Sequence, residues 1–232
     1  MIYLCAINDW NRISNTELQR FIPLLSVDRK QKVNKFQFSK DKKVCILSEM
    51  LLRYMLGNFL HVSIDEIVYE YNIYGKPFLK NYSEIYFNIS HSGYWILCGI
   101  SDSPIGIDVE GDTIEVIEIA KRFFLNEEYT HIKCEKNGNR NDLFFKYWTL
   151  KESYIKCVGK GLYIPLDSFG FNFDYDEILM IKKGVIDENY KFVSKKLDHK
   201  YHMSVCVEKG QCTNDIQIIT LDELLNELKR IK

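Results

Sequence analysis

Apolar and polar residues along this chain alternate between two periods. Residues 1–7 read as a strand. Ser14-Asn15-Thr16-Glu17 is a capping-box pattern that opens a short helix with Leu18, Phe21 and Ile22 on its apolar side. From about 40 to 60, Cys45, Leu47, Met50, Leu51, Tyr54, Met55 and Phe59 recur at helical spacing and predict a long amphipathic helix. Runs rich in β-branched and aromatic residues follow at 67–74, 85–90, 94–101 and 104–110, punctuated by Tyr74-Gly75-Lys76-Pro77 and His91-Ser92-Gly93 as turns.

The second half opens with helical patterns at 114–124 and 126–134, then a polar loop at 136–141. A long helix is predicted over 142–157, ending at Gly159 and Gly161. Strand-like runs at 168–173, 178–181, 191–196, 202–207 and 216–219 come next, and Thr220-Leu221-Asp222-Glu223 opens a terminal helix. Each half is a long helix with several antiparallel-style strands. The expected architecture is therefore α+β: two similar lobes, each a long helix packed on a small, mostly antiparallel sheet. The boundary falls at 104/105, giving lobes 1–104 and 105–232, with a ligand cleft expected at their junction.

Composition narrows the function classes. The formal net charge of −1 gives no electrostatic basis for nucleic-acid binding. Residues 28–43 are nevertheless basic, with Arg29, Lys30, Lys32, Lys35, Lys40, Lys42 and Lys43 against Asp28 and Asp41. That stretch is either a solvated helix face or a docking patch for an anion. The seven cysteines are irregularly spaced without a C-x-x-C, which fits a reduced cytoplasmic protein with no disulfide framework or zinc site. No apolar run is long enough to span a bilayer, and the apolar start is too short for a signal peptide.

The residues that carry chemistry lie near the junction. Asp108 and Glu110, two apart on an apolar strand, point to the same face. They are either solvated on an edge or paired and metal-bound, because a buried carboxylate is costly alone. Trp148, Glu152 and Lys156 share one face of the long second helix, whose apolar residues occupy more than one side. A Glu-Lys pair at this spacing is often only a surface ion pair. Lys146 and Lys151 read as the solvent-facing lysines, although Lys151 could also reach a phosphate. Ser90-His91-Ser92 could present hydroxyls and an imidazole to a phosphate, or be a satisfied turn. Lys76, after Gly75, could meet an anion. Three carboxylates and a lysine on two rigid elements suit a hard divalent cation that handles phosphate. No P-loop, G-x-G-x-x-G or G-x-S-x-G is present.

Taken in order, Tyr74-Gly75-Lys76-Pro77, Phe87-Asn88-Ile89-Ser90-His91-Ser92, Ile105-Gly106-Ile107-Asp108-Val109-Glu110, Arg122-Phe123-Phe124 with Glu128, Trp148-Thr149-Leu150-Lys151-Glu152-Ser153-Tyr154-Ile155-Lys156 and Gly159-Lys160-Gly161-Leu162 resemble an Sfp-type (surfactin-synthetase-activating) 4′-phosphopantetheinyl transferase. The resemblance covers nearly the whole chain. It implies a single-chain, monomeric, Mg²⁺-dependent enzyme that moves the phosphopantetheine arm of coenzyme A to a serine of an apo acyl or peptidyl carrier protein and releases 3′,5′-ADP. It implies Asp108, Glu110 and Glu152 as Mg²⁺ ligands, with Glu152 or a water held by Glu110 or Glu128 as base and Lys156 assisting the leaving phosphate. Ser90, His91 and Lys76 would hold coenzyme A, with Lys151 and Lys156 near its phosphates and Arg29 and Lys32 near the 3′-phosphate side. Glu128 would lie by the carrier-binding loop. Many members carry a nucleotide-contacting arginine where this chain has Val44, preceded by Lys42 and Lys43, so either a neighbouring lysine, Lys43 first, takes over the contact or nucleotide binding is weaker. The rivals are another Mg²⁺-dependent transferase acting on a nucleotide diphosphate and a non-catalytic coenzyme A or carrier-binding module. Peptide-synthetase, polyketide and fatty-acid carriers all remain open as partners.

Overall fold

The computed structural model describes residues 1–111, 116–136, 138–174 and 177–230. Its first elements are β1 (Ile2–Ile7), α1 (Asn15–Gln19), α2 (Val27–Lys35) and α3 (Ser39–Leu60), followed by β2 (Tyr69–Tyr71), β3 (Pro77–Leu79), β4 (Tyr86–Ser92), β5 (Trp95–Ser101) and β6 (Ile105–Gly111). Then come α4 (Val116–Phe123), α5 (Asn126–Cys134), α6 (Arg140–Val158), β7 (Phe169–Asp174), β8 (Glu177–Lys182), β9 (Val185–Ile186), β10 (Tyr190–Lys196), β11 (Tyr201–Glu208), β12 (Gln217–Ile218) and α7 (Leu221–Arg230). The protein is α+β, with small sheets whose neighbouring strands are antiparallel except for the β1–β12 pair.

The first large sheet has the order β12-β1-β5-β4, and α3 packs on it. Leu47, Met50, Leu51 and Leu56 of α3 are fully buried against Ile7, Ile96 and Cys98 from β1 and β5. The helix stops at His61, which takes a left-handed conformation at φ 56°. The second large sheet, β10-β11-β6, is covered by α6. That helix can lie close because β6 carries Gly106. A Cβ there would stand 1.9 Å from the Ser153 carbonyl oxygen and 2.3 Å from the Cys157 nitrogen, so no larger residue fits without moving the helix.

Two features depart from the expected layout. The chain's end returns to the first sheet: β12 pairs with β1, and Leu221, Leu224 and Leu228 of α7 join the core built around α3. A cut at 104/105 therefore leaves 217–230 on the side whose core they do not share. The run at 67–74 is shorter as a strand than expected, because Asn72 Oδ1 accepts from the backbone N–H groups of Tyr74 and Lys76 at 2.9 Å and turns the chain.

Several boundaries also shift. The basic stretch is not one face. It is split between α2 and the start of α3 by an extended break at Phe36. His91 and Ser92 belong to β4, with the turn falling at Gly93. The start predicted for α4 lies outside the described residues, as does Asn137 in the predicted loop, whose end is already helical from Arg140.

Candidate active site

The site forms where β4, the edge of the first large sheet, meets β6, the edge of the second. The two strands lie side by side without a backbone ladder among the described residues. Alternate side chains of β4 make the junction instead. Asn88 Oδ1 accepts from the Ile107 N–H at 2.8 Å, and Ser90 Oγ accepts from the Val109 N–H at 3.2 Å. Ser92 Oγ donates to Glu110 Oε2 at 3.0 Å. A two-residue period on β4 thus meets a two-residue period on β6, which is why Asp108 and Glu110 face the same way.

Asp108 is the hub. It is 3% exposed. Its Oδ1 accepts from Lys156 Nζ at 2.6 Å and from Ser90 Oγ at 3.1 Å, and Lys156 also donates to Ser90 Oγ at 3.0 Å. Its other oxygen, Oδ2, is buried with no hydrogen-bond partner among the described residues. A buried carboxylate oxygen left bare is costly, and it marks a position that a cation or donor can occupy.

Glu110 and Glu152 surround this hub. Burial and the Asp108 charge raise the pKa of Glu110. Burial, then Asp108, then Glu110 push Glu152 up to about 7, with Lys156 opposing. Glu152 thus shares the electrostatic environment of both strand carboxylates, and it makes no hydrogen bond within the described residues. His91 stands nearby on β4. Partial desolvation, Lys156 and Arg29 together lower its pKa, so the free imidazole is neutral near pH 7.

This crowding predicts a pH dependence of stability. Glu152 binds its proton more tightly folded (about 7) than at its ordinary value of 4.5. The metal-free protein should therefore lose stability as pH rises from about 4.5 to about 7, by about 1–3 kcal/mol. Glu152→Gln should flatten that slope, as read by urea unfolding at pH 5.5 and 8. Mg²⁺ should stabilise wild type at pH 8 more than the variant. A parallel pH profile in the two proteins contradicts this account of Glu152.

The other expected site residues are placed differently. Lys151 is neither solvent-facing nor near the cluster. It is wholly buried, 2.8 Å from Glu128 Oε2, and donates to the carbonyls of Leu166 at 2.8 Å and Phe169 at 2.6 Å. Glu128 is likewise 3% exposed and accepts from the Leu125 and Phe171 N–H groups. The apolar residues on several sides of α6 turn Lys151 inward, where Glu128 pairs with it. Lys76 Nζ donates to the carbonyls of Ile105, Lys156 and Cys157, which ties the end of α6 to the start of β6 and spends all three of its protons. Lys43 donates to the carbonyls of Asn11 and Ile13 rather than to an open anion site. Val44 is buried in the first core. Arg29, on α2, lies against Glu49 and Cys45 and its charge helps lower the His91 pKa, and Lys32 is exposed one turn further on. Sequence reasoning missed Asn88, whose signal was its two-residue spacing from Ser90.

The donor set fits a small hard cation. Asp108, Glu110 and Glu152 offer carboxylate oxygens, and Asp108 Oδ2 lacks any other partner. No three Asp, Glu, His or Cys side chains form a ready-made cluster among the described residues. Mg²⁺ keeps several waters and completes its shell with phosphate oxygens, so a few carboxylates suffice. A broad cavity of about 1680 Å³ lies elsewhere, lined by Met1, Tyr54, His61 and Lys209, and contains none of these acids.

Family models place this geometry. Residues 104–206 match the 4′-phosphopantetheinyl transferase superfamily, and residues 8–101 match the N-terminal region of 4′-phosphopantetheinyl transferases. The chain is 32% identical over 213 residues to the 4′-phosphopantetheinyl transferase Sfp of Bacillus subtilis, covering 92% of this chain and 95% of that protein. The chain belongs to the 4′-phosphopantetheinyl transferase family. It is 34% identical over 203 residues to the 4′-phosphopantetheinyl transferase gsp of Aneurinibacillus migulanus, covering 87% of this chain and 84% of that one. A mouse L-aminoadipate-semialdehyde dehydrogenase-phosphopantetheinyl transferase is 29% identical over 205 residues, covering 78% of this chain and 66% of that one. As a family member the chain is an enzyme, a transferase of the phosphopantetheinyl class. No helix among the described residues is long and apolar enough to cross a membrane.

Proposed function

We propose that this transferase moves the 4′-phosphopantetheine arm of coenzyme A to the serine hydroxyl of an apo carrier protein and releases 3′,5′-ADP, using Mg²⁺. The observation that carries the reading is the convergence of Asp108, Glu152 and Lys156 at the β4–β6–α6 junction, with a bare buried oxygen at its centre. The enzyme works as two related α+β lobes with the site at their seam: residues 1–104 with 217–230, and 105–216. It acts as a monomer in the cytoplasm.

Asp108, Glu110 and Glu152 would hold the metal, which when bound neutralises the pyrophosphate and orients it for in-line attack. Arg29, Lys32, His91 and Lys156 supply positive or donating groups for the phosphates, and Ser90 fixes Lys156 and Asp108. The serine oxygen forms a bond to the phosphorus that carries the pantetheine arm, and the bridging P–O bond breaks. Glu152 takes the serine proton, directly or through water. A water held by Glu110 is the second route. The burial of Glu128 against Lys151 favours Glu110 over Glu128 for that route. Lys156, one turn from Glu152, stabilises or protonates the departing phosphate.

Incubation with coenzyme A, Mg²⁺ and a panel of apo peptidyl and acyl carriers, followed by intact-mass measurement, tests the reading. The expected carrier gains the mass of one phosphopantetheine, and 3′,5′-ADP accumulates in equal amount. Binding of coenzyme A without either product would make this a binding module. Lys156→Ala should lower kcat more than it raises KM for coenzyme A. The reverse pattern reassigns Lys156 to ground-state binding.

A further inference from the structure

A charge buried in the first core has no place in the chemistry above. Glu49 lies mid-way along α3 with its side chain 2% exposed. Its carboxylate accepts from the Ser26 N–H at 2.7 Å and the Ser26 hydroxyl at 2.9 Å, and from Arg53 Nε at 2.9 Å. Arg53 is itself anchored by the Ile64 and Ile67 carbonyls and lies 5.2 Å from the centre of the Tyr69 ring. From behind, then, Glu49 is held by groups of the core.

In front, Glu49 grips one turn of α2. Ser26 is the N-cap of that helix, and its hydroxyl accepts from the Arg29 N–H at 3.4 Å. The Arg29 guanidinium stands 3.9 Å from Glu49 Oε2, with a further contact to Cys45 Sγ at 3.5 Å. Glu49 thus touches both the cap and the side chain of the turn that carries Arg29. A pair that only balanced Arg53 would need none of the contacts to Ser26. Arg29 remains 26% exposed, and its charge is felt at His91 together with that of Lys156.

We propose that Glu49 is a positioning residue for coenzyme A. It fixes the first turn of α2 and aims Arg29 at a phosphate of the substrate, without touching the substrate. A buried carboxylate does this well. Its bonds to main chain and guanidinium are charge-assisted, and the low-dielectric core leaves it few alternative arrangements. The inference rests on the assignment of Arg29 to phosphate binding under the proposed function.

The test measures transfer to an apo carrier from coenzyme A and from 3′-dephospho-coenzyme A, with thermal unfolding alongside. Wild type, Glu49→Gln, Arg29→Ala and the double variant are compared. Glu49→Gln is expected to raise KM for coenzyme A about tenfold while kcat stays within about twofold, and the double variant should be no worse than Arg29→Ala alone. The preference for coenzyme A over the dephospho form should shrink equally in both single variants. Should Glu49→Gln fail to fold, Glu49→Asp keeps the charge but withdraws it from Ser26 and Arg29. It should then show the same KM effect at smaller size. An unchanged KM, or additive effects in the double variant, overturns the inference while leaving the proposed function intact. An active wild type with an unaffected Arg29→Ala removes Arg29 from binding, and this role of Glu49 with it. A wild type that transfers nothing overturns both.

Discussion

Asp108→Ala is expected to reduce carrier modification by more than about 100-fold, the scale of losing one preorganised electrostatic element. The reason is positional. Asp108 holds the Lys156 ammonium at 2.6 Å and the Ser90 hydroxyl at 3.1 Å, so its loss frees both groups proposed to act on the phosphates. It also removes Oδ2, a buried oxygen of the cluster without a hydrogen-bond partner among the described residues. Asp108→Asn keeps the shape and changes the charge. It should fall nearly as far if charge is the contribution, and much less if packing is. The rate of mass gain on the carrier, at saturating coenzyme A, distinguishes the two. Transfer near the wild-type rate in Asp108→Ala would take this residue out of the mechanism.

The second large effect falls on stability rather than activity. Lys151 and Glu128 form an ion pair with side chains 0% and 3% exposed, inside a shell of aromatic rings that includes Phe124 and Phe169. Removing one partner leaves the other charged and unpaired in the core. Lys151→Met alone should cost about 3–5 kcal/mol in urea unfolding. Adding Glu128→Gln should recover much of that loss, because the amide oxygen can still accept from the Phe171 N–H at 3.0 Å. Burial raises the Glu128 pKa and lowers that of Lys151, and each charge offsets that shift in the other. A loss under about 1 kcal/mol for Lys151→Met would show that the pair contributes little. Transfer activity per folded molecule should change little, because neither group is part of the carboxylate cluster.

Periodicity made the main elements legible. The helical spacing from Cys45 to Phe59 and the mixed apolar faces of the second helix located α3 and α6, and the alternation around Asp108 located β6. What periodicity cannot reveal is the direction of a long, flexible side chain. Lys76, Lys151 and Lys43 all sit in basic or motif-rich segments, yet each bonds main-chain carbonyls within the chain. A lysine has one charge and a four-carbon stem, so local sequence does not say whether it meets a ligand or a helix end. The return of β12 and α7 to the first core was equally invisible, because nothing in a two-residue strand names its partner. Glu49 and Arg53, four apart on α3, carry nothing in their spacing that reveals their burial.

The seam between β4 and β6 has a mechanical consequence. Three short polar side chains, Asn88, Ser90 and Ser92, set the distance between the strands where main-chain bonds would otherwise do so. The gauge of the catalytic gap is thus written in side-chain length. One added methylene at position 90 would wedge the two halves apart and detune every group that straddles them, while leaving each half as well folded as before.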